Sequence, residues 1–231
     1  MKAVGIIGGM GPETTANCYL DVIFKMYQKN KEERPSILIW NVPLKYEIEK
    51  EFIEKAIGEQ KYLPYLLEAA KNLEKGGADF LVIPCNSVHI FIEEIRKEVK
   101  IHVLSILEET EQFLKGKKFK KIGLLATKLA LRQKLYDNTI QSLGIAIVKP
   151  NETDQKVLGK IIDKLITTKY AEKEKAKLLK IIWNLGKEDV EAIILACTDL
   201  QLIIKPKEMP IPVYDTMDLL VDATVRELLK P

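Results

Sequence analysis

The chain has 231 residues, of which 36 are basic and 33 acidic, and a formal net charge of +3. Because no basic block with interleaved aromatic residues occurs, we expect no nucleic-acid partner. No apolar stretch approaches the roughly 20 residues needed to cross a bilayer, and no signal peptide is recognisable, so we expect a cytoplasmic protein without a membrane partner. Three cysteines and two histidines without paired spacing predict neither disulfides nor a metal site.

Strands and helices alternate along the first half of the chain. Short apolar runs predict buried strands, and amphipathic segments bounded by proline or glycine predict helices. The predicted strands lie at 2–8, 36–42, 80–84 and 101–105. The predicted helices lie at 13–29, 59–75, 87–98 and 106–115.

The second half continues the same alternation. The predicted strands lie at 121–127, 145–149, 192–196 and 211–215. The predicted helices lie near 130–143, 154–167, 172–186 and 217–229. Strand–helix units of this length favour parallel sheets with right-handed crossovers, which is typical of α/β proteins.

Three landmarks of the first half recur in the second in the same order. Gly5 of the first strand corresponds to Gly123, and Cys85 corresponds to Cys197; the strand at 101–105 is echoed at 211–215. Ordered repetition of this kind indicates an internal duplication. We expect an α/β fold of two pseudo-symmetric lobes, 1–116 and 117–231, each with a parallel sheet flanked by helices. Whether the final helix packs back on the first lobe stays open.

Cys85 and Cys197 each follow a buried strand and precede a predicted helix. Ligands of open α/β sheets bind at the carboxyl ends of the strands, so both thiols are expected at a ligand site. The helix start is expected to lower the thiol pKa and to make thiolate available at neutral pH. Two such thiols across a substrate suit removal of a proton from one face of a carbon and its return to the other.

The glycine-rich start, from Gly5 to Thr14, matches neither a dinucleotide fingerprint nor a P-loop. It predicts a tight strand-to-helix turn whose backbone N–H groups hold a carboxylate, or a turn and nothing more. His89 lies one helical turn after Cys85, and the sequence leaves open whether it orients a ligand group or packs in the core.

These motifs resemble the aspartate/glutamate racemases that work without pyridoxal phosphate. The segment 8–16 resembles that family's opening motif, the segment 84–89 its Pro-Cys-Asn-Thr-x-His motif, and the segment 197–200 its Cys-Thr-Glu-Leu/Ile motif. The landmarks follow the family's order over essentially the whole chain, with aspartate racemase the most similar member.

The resemblance implies an isomerase that needs no cofactor and is commonly a homodimer. It also implies that Cys85 and Cys197 are the two acid/base residues. Six further residues would bind the amino-acid substrate: Met10, Gly11, Asn86, Ser87, Thr127 and Thr198. The expected reaction is racemisation of an acidic amino acid, with aspartate favoured.

The chain departs from the aspartate-specific members at the residues that hold the side-chain carboxylate. Those members use an arginine after the second strand, where this chain offers Lys45 and Lys50. They also use a lysine in the helix that corresponds to 154–167, where an approximate alignment places Ile166 here. Lys164 or Lys169 would substitute if the register shifts, so the racemase assignment is safer than the aspartate assignment.

Three alternatives remain at this point. The first is a glutamate or broad-specificity amino-acid racemase. The second is a maleate cis-trans isomerase, in which one thiol adds to a double bond. The third is a non-catalytic protein that binds small acids, which the presence of both thiols disfavours.

Overall fold

The computed structural model describes residues 1–52, 56–167, 172–205, 209 and 211–230. The described residues form two four-stranded sheets, in the order β2-β1-β3-β4 and β6-β5-β7-β8, with every strand pair parallel. The strands of the first sheet are β1 (Ala3–Gly8), β2 (Ser36–Asn41), β3 (Phe80–Val82) and β4 (His102–Val103). Those of the second are β5 (Lys121–Ala126), β6 (Ala146–Val148), β7 (Ala192–Ala196) and β8 (Val213–Asp215).

Helices cover both faces of each sheet. The helices of the first half are α1 (Pro12–Lys29), α2 (Tyr46–Lys50), α3 (Leu63–Lys75), α4 (Ile92–Glu98) and α5 (Ile106–Lys115). Those of the second half are α6 (Lys128–Arg132), α7 (Asp137–Ser142), α8 (Glu152–Thr167), α9 (Glu172–Gly186) and α10 (Thr216–Leu228). This arrangement confirms the predicted α/β class with two pseudo-symmetric lobes. A lobe boundary after residue 116 stays a prediction.

Gly5 and Gly123 occupy equivalent positions in the two sheets. A Cβ on Gly5 would lie 2.6 Å from Leu81 Cδ2 of β3, and one on Gly123 would lie 3.1 Å from Ile193 Cγ1 of β7. Both glycines therefore permit close contact between the central strand and its neighbour. The glycine that recurs in the sequence therefore reflects the same packing requirement in both sheets.

Each sheet buries apolar side chains on both faces, because its strands lie between helical layers. On the first sheet, Val4 and Ile6 point to one face and Ile7 to the other, as the two-residue period of a strand requires. Helix α10 packs on the face of Val4 and Ile6, where it contributes Met217 and Leu220. The last helix of the chain thus covers the first sheet.

Helix boundaries differ from the predicted ones in three places. The segment 59–75 begins as a separate 3-10 turn (Glu59–Lys61) before α3, and Pro64 marks the new start. The segment 87–98 is a 3-10 turn (Ser87–Phe91) followed by α4. The segment 130–143 is divided into α6 and α7 around Lys134, whose φ of 53° interrupts a right-handed helix.

Helix α2 was not predicted, because its five residues carry too little periodicity for detection. Within the described ranges, no helix combines the length and apolar character that a membrane span requires.

Candidate active site

The two thiols lie at the carboxyl ends of equivalent strands in the two sheets. Cys85 follows β3, and Cys197 follows β7 directly. Both line one cavity, whose empty volume is about 490 Å³ with the open solvent at its mouth included. Cys85 is partly exposed and Cys197 is buried. The structure therefore brings together the two residues that the sequence repeat singled out.

Most of the predicted substrate-binding residues also line this cavity, namely Met10, Asn86, Ser87, Thr127 and Thr198. The remaining wall is formed by residues from α2 and the segment after it, from α8, and from the turn after β7. These are Glu49, Phe52, Tyr62, Ile162, Ile166 and Asp199. The wall is thus apolar on the side of α8 and polar where the strands end.

Hydrogen bonds join the two halves of the chain around the cavity. The Thr198 hydroxyl donates to the Pro84 carbonyl over 3.1 Å. The hydroxyls of Ser87 and Thr127 lie 2.8 Å apart, and Thr127 also caps α6. These contacts fix the strand ends of the two halves relative to each other around the cavity.

The Asn86 side chain is held by residues of the second half. Its Nδ2 donates to Thr216 Oγ1 over 3.1 Å, and its Oδ1 accepts a hydrogen bond from the Tyr136 hydroxyl. Asn86 is 2% exposed. Its Nδ2 retains one further N–H for a ligand, whereas its carbonyl oxygen is engaged.

The expectation that the helix start lowers the thiol pKa is wrong for both cysteines. Burial, followed by the charge of Asp199, raises the pKa of Cys85 to about 12. Burial and the same carboxylate raise the pKa of Cys197 well above its usual value. Backbone N–H groups of Ser87 and Val88 do stabilise the Cys85 thiolate, but the turn that follows is a short 3-10 segment and desolvation outweighs it.

Asp199 contacts Cys197 directly. Its Oδ2 accepts a hydrogen bond from the Cys197 thiol over 3.7 Å, and its Oδ1 accepts one from the Thr14 hydroxyl over 2.5 Å. Burial raises the pKa of Asp199 to about 6, while the two hydrogen bonds oppose that rise. At neutral pH this carboxyl is mainly ionised, so it holds the proton of Cys197 in place and disfavours a second negative charge beside it.

His89 packs beneath the cavity and does not contact a thiol. Its Nε2 accepts a hydrogen bond from the Ile106 N–H over 3.1 Å, which places the ring proton on Nδ1, 2.7 Å from the Cys85 carbonyl oxygen. Burial lowers the pKa of His89 to about 4. The ring is therefore neutral and positions the main chain of Cys85.

The glycine-rich turn contributes to the site in part. Met10 lines the cavity. Gly11 lies beside it, since a Cβ built there would lie 3.5 Å from Asp199 Oδ1. The Gly9 N–H donates to Thr15 Oγ1 over 2.9 Å and is not available to a ligand carboxylate. An anion site in this turn gains no support from these contacts.

The described cations considered as substitutes for the family's arginine and lysine do not line the thiol cavity, but Lys50 lines the wider cleft that shares Glu49 and Ile166 with it. Lys164 forms a salt bridge of 2.7 Å with Glu174 on α9. Lys45 is exposed at the start of α2. Lys169 lies outside the described residues. Ile166, which the alignment places opposite the family's lysine, does line the cavity.

Sequence reasoning gave no site role to five wall residues, Glu49, Phe52, Tyr62, Ile162 and Asp199. Asp199 lies in the motif 197–200, whereas the other four lie in segments without a motif and reach the thiols through the packing of α2, α3 and α8. Within the described part of the chain, no group of three or more His, Cys, Asp or Glu side chains is placed to hold a metal ion.

The chain is similar in sequence and in fold to known proteins. The sequence profile of the Asp/Glu/Hydantoin racemase family matches residues 7–224. The broad specificity amino-acid racemase RacX of Bacillus subtilis (strain 168) is 26% identical over 231 residues, which is 98% of each chain. The structure of Picrophilus torridus aspartate racemase is similar with a TM-score of 0.84 and 26% identity, over all of this chain and 96% of that one.

An aspartate racemase homologue from Pyrococcus horikoshii OT3 is similar over the full length of both chains, with a TM-score of 0.78 and 26% identity. The family match over residues 7–224 and these relatives identify the protein as a racemase, and thus as an isomerase. The chain belongs to the Asp/Glu/Hydantoin racemase family.

Proposed function

We propose that the protein racemises a free amino acid at its α-carbon with Cys85 and Cys197 as the two acid/base groups. The observation that carries this proposal is that two thiols from equivalent strands line one cavity. One sulfur, as thiolate, takes the α-proton, so that a C–H bond breaks and an S–H bond forms. The other thiol gives its proton to the opposite face, and the two sulfurs exchange protonation states.

The electron pair left on the α-carbon moves into the substrate carboxylate during the reaction. The Thr198 hydroxyl proton is used on the Pro84 carbonyl. Ser87 and Thr127 share one hydrogen bond, which leaves one hydroxyl proton of that pair and the second N–H of Asn86 Nδ2 as donors for the charge that develops there. The substrate's α-ammonium group brings a positive charge next to the thiols, which favours the thiolate. This chemistry needs no electron sink beyond the carboxylate and these donors.

Aspartate was the substrate favoured by the sequence. Within the described residues, no lysine, arginine or histidine lines the thiol cavity, whereas Glu49 and Asp199 do. A side-chain carboxylate would meet these two acidic groups inside the cavity, and Lys50 lines only the wider cleft that adjoins it. The proposed reaction is therefore amino-acid racemisation, with aspartate one member of the panel to be tested. A cytoplasmic homodimer stays a prediction.

The test is α-proton exchange and racemisation in deuterated water, measured by NMR and chiral chromatography on a panel of L- and D-amino acids. We expect wild type to exchange and racemise. Cys85→Ser and Cys197→Ser should each lose racemisation by roughly a thousandfold or more, as expected for removal of an acid/base group. Each variant should retain slow exchange with only one enantiomer, through its remaining thiol.

Cys18→Ala is the matched control, because Cys18 is fully buried in the core of the first half, outside the cavity. It should keep wild-type activity. Isomerisation of maleate without exchange of any amino acid would favour the isomerase alternative. Undiminished racemisation in either Cys85→Ser or Cys197→Ser would refute the two-thiol proposal.

A further inference from the structure

The charged side chains of the cavity wall are acidic. In the part of the chain that the structure describes, Glu49 and Asp199 line the cavity together with the two thiols, and no lysine, arginine or histidine does. A ligand with a negative side chain would be repelled there, whereas a positive one would be attracted. The wall thus discriminates by charge.

The carboxylates of Asp199 and Glu49 differ in their hydrogen-bond partners. Asp199 already accepts hydrogen bonds from Thr14 and Cys197 through its two oxygens. The carboxylate of Glu49 accepts no hydrogen bond and forms no salt bridge with another described residue. Glu49 is partly buried, and its burial together with the charge of Asp199 raises the pKa of its carboxyl. A cation beside Glu49 would stabilise its ionised carboxylate and so oppose the effects of burial and of the Asp199 charge.

Glu49 lies where the thiol cavity meets a wider cleft. It lines both spaces, as does Ile166, whereas Cys85 and Cys197 line the inner cavity. The wider cleft is also lined by Lys50 and Asp163, so its described charged residues are two acidic and one basic. A substrate with its α-carbon between the thiols would extend its side chain towards this junction. Glu49 is thus placed for the far end of a side chain rather than for the reacting carbon.

The cavity wall also carries apolar side chains that suit a chain of methylene groups. Ile162 and Ile166 of α8 line the cavity, as do Phe52 and Tyr62, whose ring centroids are 4.2 Å apart. Aromatic faces also attract cations, so the two rings tolerate a positive head group as well as its aliphatic stem.

We propose that the preferred substrates carry a cation on an aliphatic stem, as lysine, ornithine and arginine do, and that Glu49 binds the cation. This inference rests on the proposed racemase function and names its substrate class. Glu49 is a specificity-determining residue in this arrangement, and the two thiols perform the same proton transfers for every amino acid.

The experiment compares racemisation of L-lysine with that of L-norleucine, which has a side chain of similar length without the charge. Wild type should show a kcat/KM for lysine that exceeds that for norleucine by roughly tenfold or more, as a hydrogen bond to a charged group provides. Glu49→Gln should remove this preference and leave norleucine within about twofold of wild type. Activity on norleucine also reports that the variant is folded.

Glu47→Gln is the matched control, because Glu47 is on the same helix and exposed. It should leave both substrates unchanged. The inference is overturned if wild type treats lysine and norleucine alike, or if glutamate is preferred to lysine. It is also overturned if Glu49→Gln slows both substrates equally, since Glu49 would then bind the α-ammonium group.

Racemisation of norleucine or aspartate without preference for lysine would leave the proposed function intact while refuting the role of Glu49. Absence of α-proton exchange with every amino acid would refute the proposed function itself, and the substrate class with it.

Discussion

The resting protonation of the two thiols predicts an unusual dependence of racemisation on pH. Burial and the charge of Asp199 raise the pKa of Cys85 to about 12. The same two causes raise the pKa of Cys197 well above its usual value. At pH 7, a thiol with a pKa of about 12 is ionised in only about one molecule in 10⁵. Each increase of one pH unit raises that fraction about tenfold, so kcat/KM should rise about 100-fold between pH 6.5 and 8.5 without a plateau.

The pH range is chosen so that the α-ammonium group of the substrate stays protonated. The assay is initial racemisation rate at low substrate concentration, where kcat/KM reports ionisations of the free enzyme and free substrate. A plateau that begins below pH 8 would show that a thiol of ordinary or lowered pKa is present, and would refute the reasoning from burial.

Asp199→Asn provides the internal comparison for this prediction. The Asp199 charge raises the pKa of both thiols, and its hydrogen bond with Cys197 favours the protonated form of that thiol. Removing the charge should lower both values, so the rise in kcat/KM should move to lower pH. A shift to higher pH would contradict this reasoning, because the charge of Asp199 and its hydrogen bond with Cys197 both favour the protonated thiol.

Three further predictions concern stability and are measured by urea denaturation. Burial lowers the pKa of His89 to about 4 in the folded protein, so the unfolded state takes up a proton at a higher pH than the folded state does. Wild type should therefore lose about 3 kcal/mol of folding stability relative to His89→Gln as pH falls from 6.5 to 4. Parallel stability–pH profiles of the two proteins would contradict this. Asn86→Ala leaves its two partners unpaired in a buried site and should cost about 2–3 kcal/mol; a cost near zero would show that the contacts are dispensable. Ile6→Ala, at a fully buried position, should cost about 2–5 kcal/mol, whereas Ile39→Ala, 44% exposed, should stay near 0.5 kcal/mol; equal losses would contradict the assigned core.

The fold was predictable from the sequence because its signals are local and occur twice. Apolar runs that end at Cys85 and Cys197 identify central strands, since strands buried on both faces carry few polar residues. Gly5 and Gly123 mark the matching strand of each sheet, where a Cβ would approach a neighbouring side chain. The same periodicity could not resolve α6 and α7, because a single left-handed residue, Lys134, separates them.

The sequence predicted only those residues of the candidate site that lie near strand ends. Cys85, Ser87 and Thr198 lie within a few residues of the ends of β3 and β7, and parallel strands present such residues at one edge. Glu49 and Tyr62 come from segments between strands, and only the packing of those segments brings them to the thiols. The acidic character of the cavity wall therefore could not be derived from the sequence motifs.

The error about the thiol pKa has the same origin. A turn that follows a strand is visible in the sequence, and its N–H groups do stabilise the Cys85 thiolate. Desolvation depends on residues that are distant along the chain, such as Tyr62 and Ile166, and these enclose the cavity. The sequence-based prediction therefore overestimated how far nearby N–H groups stabilise the thiolate, because the sequence does not show which residues enclose the thiols.

The raised pKa values are consistent with the proposed chemistry rather than opposed to it. The α-proton of an amino acid is very weakly acidic, and a base accepts it more readily as the pKa of its conjugate acid rises. The wall that makes the Cys85 thiolate scarce also makes it more basic than a thiolate in water. The substrate's ammonium group supplies the missing positive charge only when it is bound. The cavity thus keeps its thiols protonated at rest and makes the strong base available beside the carbon that it must deprotonate.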